Sequence, residues 1–442
     1  MKNAKLSKVW DTLHSSYWFL PTLMVLGVII LAATTLTLDG QGRVNLAGWN
    51  WMYTGGPDGA RAMLSAVAGS VITVATTAFS ITIVALQLAA SNFGPRLLRN
   101  FMRDTGNQLV LGTFIATFVY CLLVIRTIHG EGQNYSQFVP QLSVTVGTGL
   151  AIISVAVLIY FIHHASTIIQ VSHVIASVSQ DLERTGDRIF PQEIGHSLPP
   201  SSSQIEALTK AFRDHATAVP STQEGYLQAI EDEDLLKLAC RYDVQFCVES
   251  RPGQFILRDS ALVRVLPGDR VSPKLIKRIN QNFIVSKERN EQQDIEFPIN
   301  QLVEIALRAL SPSVNDPFTA MRCIDRLSAA LTRLAQRPMP SPYRYDPAQH
   351  LRVIAEPVTF EHLVNRAFDQ IRQCARTDAA VTMRLLEAID RILMHTSNPE
   401  HRTALWRQAK MIEQGSHEGL PEEQDQKAVA KRYDTILRRR DP

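Results

Sequence analysis

A stripe of small and hydroxyl-bearing residues runs along one predicted helix inside an apolar segment. Its members are Ser65, Gly69, Thr73, Thr76, Ser80 and Gln87. They recur at steps of three, four or seven residues, which places them on one helical face. Hydroxyl and amide groups on such a face can line a water-filled path in an oligomer. Small residues can also form a packing seam between helices in lipid, so the stripe predicts pore-lining or helix-packing positions.

A second candidate site is the loop Asn315-Asp316-Pro317, which lies between two predicted helices. The pair Ser311-Pro312 ends the first helix, and Asp316 before a proline is a good N-cap for the second. A capped helix-loop-helix explains these residues without any ligand. The alternative is that Asn315, Asp316 and the amides of the helix start bind a small ligand or ion. One carboxylate does not make a metal site.

Motifs for catalysis and for cofactor binding are missing from the sequence. It contains no G-x-x-x-x-G-K-[ST], no H-E-x-x-H and no G-x-S-x-G. The five cysteines stand apart without C-x-x-C spacing or a paired histidine, which argues against zinc and against a disulfide framework. We therefore expect no catalytic residue, no metal and no cofactor. The formal net charge of +3 is also too small to indicate a nucleic-acid partner.

The stripe belongs to the second of four apolar stretches that are long enough to cross a bilayer as helices. These stretches cover residues 18–38, 61–90, 108–128 and 143–163, within a transmembrane domain at residues 18–165. No Asp, Glu or Lys lies deep within them, which argues against a proton relay or a charge-coupled carrier. His163 and His164 close the fourth stretch and are expected to have an interfacial role or, alternatively, to sense pH.

Positive charges in the connecting segments predict the orientation of the four spans, because lysine and arginine are retained in the cytoplasm. Two segments are rich in these residues, whereas the two alternate segments contain only Arg43. We therefore expect a multi-pass protein of the bacterial inner membrane, with residues 1–17 and the C-terminus in the cytoplasm. The charges behind this prediction are Lys2, Lys5, Lys8, Arg96, Arg99 and Arg103.

Charged residues become frequent after the last span, which predicts a cytoplasmic α+β domain and a C-terminal helical region. A helical stalk, continuing the fourth span to about Gly186, and a linker would occupy residues 166–222. Short strands around one small sheet, alternating with helices, predict an α/β domain at residues 223–336. Residues 337–442 begin with a proline-rich joint and a short extended piece near 351–354, and continue as three or four amphipathic helices.

Three segments carry a resemblance to a known family. They are TTAFSITIVALQLAASNFGPR at residues 76–96, GYLQAI at 225–230 and ALSPSVNDPFTA at 309–320. With them the chain resembles an uncharacterised bacterial family of predicted membrane proteins, and the likeness extends to about Leu334. The resemblance implies four N-terminal transmembrane helices and a cytoplasmic α/β domain, and it brings no activity, substrate or cofactor.

Two functions fit these observations. The first is a homo-oligomeric ion channel or passive permeation path, in which the second span surrounds the axis and the cytoplasmic domain assembles or gates the pore. The second is a non-conducting scaffold or sensor in the membrane, whose cytoplasmic domain binds a partner or a small ligand. The lipid bilayer is the expected partner in both cases, and neither function requires an enzyme.

Overall fold

The computed structural model describes residues 16–41, 52–93, 104–131, 137–168, 170–190 and 202–438. The chain divides into two compact units, the first at Lys8–His173 and the second at Val174–Pro442. All the charges that predicted the orientation lie outside the described residues, as do residues 191–201 of the predicted linker.

Four long helices build the first unit, as the sequence predicted. They are α1 (Phe19–Gly40), α2 (Pro57–Phe93), α3 (Thr105–Ile125) and α4 (Gln141–Ile168). Each is long and apolar enough to cross a membrane. The most apolar window of α3 is 56% buried, compared with 17% to 22% in the other three. Helix α3 is therefore the centre of this unit, and the other helices pack around it.

Helix α2 is longer than a bilayer requires. Its 37 residues would extend over roughly 55 Å at a rise of about 1.5 Å per residue. It buries a row that includes Leu64, Ala68, Val71, Ala75 and Ala78. These positions follow the helical period, so one side of α2 packs against the unit along its length.

The predicted continuous stalk is wrong, because helix α4 ends at Ile168 and a separate helix, α5 (Val171–Ile189), begins just beyond it. At the joint the Gln170 amide donates to the carbonyl of Thr167, three residues back. Several β-branched residues lie here, and they favour helix less than unbranched ones. Apolar residues keep a helical spacing on both sides, so the sequence pattern did not reveal the break.

The second unit contains two sheets, where the sequence predicted one. The five-stranded sheet has the order β1-β5-β3-β8-β7, and the three-stranded sheet has the order β4-β2-β6. The strands are β1 (Thr217–Pro220), β2 (Gly225–Ile230), β3 (Gln245–Val248), β4 (Phe255–Ile256), β5 (Ala261–Leu266), β6 (Phe283–Ser286), β7 (Tyr343–Tyr345) and β8 (Leu351–Ala355).

The larger sheet joins parts of the chain that the sequence assigned to different segments. Strand β8 pairs in parallel with β3, with Phe246 opposite Val353. Strand β1, in a region predicted as linker, pairs with β5. The predicted boundary at residues 336/337 therefore passes between strands of one sheet. Hydrogen bonding between strands that are far apart in sequence brings these segments together. Local sequence patterns do not reveal such pairing.

Helices complete the second unit. They are α6 (Ser202–His215), α7 (Asp232–Tyr242), α8 (Pro273–Gln281), α9 (Glu296–Ala309), α10 (Pro317–Ala335), α11 (Phe360–Cys374), α12 (Ala379–Leu393), α13 (Pro399–Gly419) and α14 (Glu423–Leu437). Helices α7 and α8 enclose a core with both sheets around Leu235, Phe246 and Leu275. Helices α9 and α10 pack with α11 and α12, so the predicted mixed α/β region and C-terminal helical region are both present.

Candidate functional site

The stripe on α2 lies on the outer side of the first unit. All six of its residues are exposed, whereas the alanine-rich row described above is buried. At Gly69 an added Cβ would have nothing within 4 Å. The stripe thus faces away from α1, α3 and α4 of its own chain. Its predicted role in lining a pore or packing helices stays a prediction.

The hydroxyl groups of the stripe are already hydrogen-bonded within α2. The Thr73 hydroxyl donates to the carbonyl of Gly69 at 2.8 Å, and that of Ser80 donates to Thr76 at 2.9 Å. Thr76 donates in the same way to Ile72. Because these three donors have partners four residues back, this part of the face can contact lipid, water or another helix without leaving them unpaired.

The loop before α10 is a well-formed helix cap, as predicted. The Asp316 carboxylate accepts hydrogen bonds from the Thr319 amide at 3.1 Å and from the Thr319 hydroxyl at 2.6 Å. These bonds from Thr319 lower the pKa of Asp316. Asn315 has φ +49°, a left-handed conformation that asparagine tolerates. The cap explains both residues, and ligand binding by them stays a prediction.

A polar cluster that the sequence only partly indicated lies where α3 begins and α4 ends. Asp104 caps α3 by accepting from the amides of Gly106 and Asn107. The same carboxylate lies 2.6 Å from Nε2 of His164, whose ring stacks on Tyr160 at a centroid distance of 5.2 Å. A Cβ at Gly106 would lie 2.6 Å from His164 Nε2, so a larger residue there would displace the His164 side chain.

A second carboxylate in the first unit also caps a helix, this time from a distant part of the chain. Asp39, near the end of α1, accepts from the amides of Leu142 and Ser143 at 3.0 and 2.9 Å. The Ser143 hydroxyl donates to it as well, at 2.7 Å. The start of α4 is thus held by a residue about a hundred positions earlier, which no local pattern indicates.

The second unit contains two buried carboxylates surrounded by partly exposed basic side chains, a cluster that the sequence analysis missed. Glu296, at the start of α9, faces Arg251, His362 and Arg366 at 3.2 to 3.4 Å. Its neighbour Asp294 is 3% exposed and forms a 2.6 Å ion pair with Arg289. Arg251 comes from the turn after β3, and His362 and Arg366 come from α11. This cluster therefore connects the sheet region with the C-terminal helices.

A cavity of about 1090 Å³ opens in the second unit between the first turns of α11 and α13. His401 is buried beside it and stacks on Phe360 at 4.1 Å, with Nδ1 at 3.4 Å from the Thr396 hydroxyl. Burial lowers the pKa of His401, which favours the neutral ring. The histidine is therefore part of the core. Among the described residues, no group of three or more His, Cys, Asp and Glu side chains could hold a metal ion.

Four apolar spans followed by a mixed α/β region define the chain as a membrane protein. It belongs to the predicted membrane protein family DUF2254, whose pattern matches residues 14–391. The chain is 30% identical over 438 residues to uncharacterized protein Rv1290c of Mycobacterium tuberculosis. It has the same identity to uncharacterized protein Mb1321c of Mycobacterium bovis. Each alignment covers 95% of this chain and 80% of the relative. No solved structure matches the chain.

Proposed function

We propose that this protein is a homo-oligomer in which the α2 stripes of neighbouring copies face a shared axis and form a passive path for ions or small polar solutes. The observation behind this proposal is that the polar face of α2 points away from its own unit. A polar face that the described helices of its own unit do not cover is available to a second copy. Gln87 and the stripe hydroxyls supply acceptor oxygens along such a path.

The same proposal includes a location and an orientation. The lysines before α1 and the arginines between α2 and α3 support a bacterial inner-membrane protein with both termini in the cytoplasm. The second unit would then lie on the cytoplasmic side and serve assembly or gating. With no catalytic motif in the sequence, the proposed role is not enzymatic.

Flux measurements in liposomes test the path. Purified protein is reconstituted at equal amounts as wild type, Thr73→Leu and Ser80→Leu, and ion flux is recorded with several cations and anions. We expect flux in the wild type and a loss of tenfold or more in both variants, because leucine replaces a polar lining with an apolar one. Flux that persists in both variants would contradict a path along the stripe.

Ser70→Leu is the matched control. Ser70 is an exposed serine of the same helix, about 100° from the centre of the stripe and beside an apolar groove. A general effect of a bulky residue on α2 would lower flux in this variant too, whereas a path along the stripe predicts flux near that of the wild type.

A non-conducting scaffold or sensor is the second candidate, and the hydrogen bonds within α2 favour it. Because the hydroxyls of Thr73, Thr76 and Ser80 already have partners, this part of the face can pack against a second copy without water. Cysteines introduced at Ser80 would cross-link two copies under both proposals. Cross-linking without ion flux, under all ions, pH values and voltages tested, would therefore support the scaffold. In that case Asn315 and Asp316 are the candidate ligand site.

A further inference from the structure

An apolar tip is exposed on the second unit at the loop between α9 and α10. It consists of Val314 and Phe318, which are 53% and 72% exposed. Ile152, in the apolar span α4, is 68% exposed, so Phe318 is more exposed than this side chain of a span. Within residues 296–335, all of which the structure describes, no other large apolar side chain is exposed. Single exposed apolar residues are common on protein surfaces, so the tip gains meaning only from its surroundings.

The backbone of the loop is fixed, and this holds both apolar side chains outward. The amides of Val314 and Asn315 donate to the carbonyl of Ser311 at 3.1 and 2.9 Å. Asp316 then caps α10 through its hydrogen bonds to Thr319. A loop with its hydrogen bonds formed in this way does not turn its apolar side chains inward without losing them.

Two arginines follow the tip along α10. Arg322 and Arg326 are exposed and come four and eight residues after Phe318, on the same side of the helix. Like charges at this spacing repel each other. Arg322 interacts electrostatically with Asp316 but without an ion-pair contact, and Arg326 has no ion pair with any described residue. Two positive charges that face solvent therefore lie beside the apolar tip.

Contacts within the second unit show which of its ends carries the tip. Arg333, near the end of α10, pairs with Glu183 of α5 at 2.7 Å, and Arg337, just after α10, pairs with Asp187. The numbers of the partners increase together, so α5 and α10 run in the same direction. Both helices have 19 residues, so their first turns lie at the same end of the second unit.

The start of α5 is tied to the membrane by the chain itself. Helix α5 begins at Val171, three residues after α4 ends at Ile168. Three residues extend over about 11 Å at most, so the first turn of α5 stays close to the end of the last span. The end of the second unit that carries the apolar tip is thus the end that is attached to the membrane.

We propose that Val314 and Phe318 insert into the surface of the bilayer, where Arg322 and Arg326 bind the headgroups of anionic lipids. Apolar side chains gain from burial at the boundary between headgroups and acyl chains, and basic residues beside them are attracted to anionic lipid. The guanidinium group of arginine also matches the geometry of a lipid phosphate. The contact is independent of whether the α2 stripe lines a path.

The bilayer fits this tip better than a protein partner does. A stable protein interface buries about 1,600 Å² in total, whereas this tip offers two apolar side chains and no groove. A bilayer needs no matching pocket. The spans already hold the chain in the membrane, so a contact too weak to recruit a soluble protein is sufficient here.

Fluorescence quenching in liposomes tests the contact with the full chain. A dye is attached at Ser313→Cys, an exposed position beside Val314, in a Cys374→Ser background that removes the exposed native cysteine. The quencher is a lipid with a spin label near the top of its acyl chain. A dye at Ala329→Cys, an exposed position further along α10, is the reference. We expect quenching at position 313 to be about threefold that at position 329.

Phe318→Ser tests the role of the tip itself. It should lower the quenching of the dye at position 313 about twofold, because the tip loses most of the apolar area that it can bury. Leu257→Ser is the matched control, since Leu257 is 60% exposed on the same unit and outside the tip. Equal quenching at positions 313 and 329, or quenching that Phe318→Ser leaves unchanged, would overturn the proposal.

The double variant Arg322→Gln/Arg326→Gln tests the headgroup contact. In liposomes with anionic lipid we expect it to lower quenching at position 313 about twofold, and in neutral lipid it should have no effect. Salt at about 1 M shortens the screening length to roughly 3 Å, so it should lower the wild-type value in the same way. Quenching that is equal in anionic and neutral lipid would overturn the role of the arginines.

A second copy of this chain is the other molecule that could cover the tip. A dye at position 313 that lies against protein would be shielded both from the lipid quencher and from iodide in the water. This shielding would be lost when the protein is diluted in lipid. We expect strong lipid quenching that does not change on dilution. Shielding from both quenchers would assign the tip to a contact between copies and overturn the insertion.

Discussion

Asp39 and Asp104 of the first unit are stabilised by different partners from Asp294 and Glu296 of the second unit. In the first unit Asp39 and Asp104 lie at helix ends and accept hydrogen bonds from backbone amides of α4 and α3. In the second unit Asp294 and Glu296 face arginines from other elements. The first unit has few cationic side chains in its spans, so the free amides at helix starts become the partners of its acids.

This difference has a consequence for how each unit responds to change. A carboxylate that caps a helix stabilises mainly that helix, and its bonds come from fixed amide groups. A carboxylate among several cations connects elements that are distant in sequence, and its removal leaves those cations close together. Substitutions of Glu296 and Asp294 should therefore have larger effects than substitutions of the helix-capping carboxylates.

The largest effect is expected from Glu296→Gln. The change removes the charge opposite Arg251, His362 and Arg366 and keeps the shape of the side chain. Breaking a largely buried ion pair costs about 3 kcal/mol of unfolding free energy when its partners are half-exposed. Hydrogen exchange of α9 and α11 in the full chain measures the loss. The control is Glu361→Gln, whose pair with Arg407 is exposed and should contribute less than about 1 kcal/mol.

An effect of Glu296→Gln no larger than that of Glu361→Gln would remove the distinction between the two units.

A pH effect at Asp294 comes next. Burial raises the pKa of Asp294 to about 6 from an ordinary value of 3.8, although its ion pair with Arg289 acts in the opposite direction. A carboxyl group with a raised pKa binds its proton more tightly in the folded state. Its contribution is therefore complete below about pH 4 and is lost as the pH rises to about 6. The loss amounts to roughly 2 to 3 kcal/mol.

Hydrogen exchange of α9 between pH 4 and 7, corrected for the intrinsic rates, measures this slope. Asp294→Asn should flatten it, because the variant has no proton to release. Asp259→Asn is the control, since Asp259 is exposed and asparagine tolerates its φ of +66°. Parallel profiles for wild type and Asp294→Asn would show that the Arg289 pair keeps the carboxyl ionised throughout.

The smallest of the three effects is expected from Asp39→Ala in the first unit. It removes three hydrogen bonds at the start of α4 and should cost about 2 kcal/mol. Thermal unfolding in micelles measures the change. Asp58→Ala provides the matched control, because Asp58 is an exposed acid in the first turn of α2. A loss above that of Glu296→Gln would reverse the order of the two units.

The predictions that succeeded rest on neighbouring residues. Asp316 before Pro317 identified the start of α10, because a cap and its helix are adjacent in sequence. The four spans followed from length and apolarity alone. Strand β1 was missed, and β8 was predicted only as an unpaired extended piece, because their partner strands are roughly 45 and 105 residues away and pairing over such distances leaves no local pattern.

The orientation of the α2 stripe is a further case that the pattern did not settle. Its helix carries small residues on two sides, the exposed stripe and a buried row with Ala68, Ala75 and Ala78. Both sides allow close approach of another backbone. Packing against α3 selects the alanine row, and the choice depends on the shapes of residues far along the chain. The contact between Asp39 and the start of α4 was not predicted for the same reason, because it too depends on residues far apart in the sequence.

The parallel pairing of β3 and β8 has a practical consequence for anyone who divides this chain into pieces. A fragment that stops near residue 337 would lack β7 and β8 and leave one edge of β3 without its partner. Open edges of this kind recruit strands from other molecules, so such a fragment would tend to aggregate on expression. The shortest soluble piece worth producing therefore begins before β1 and continues at least through β8, with its helices retained.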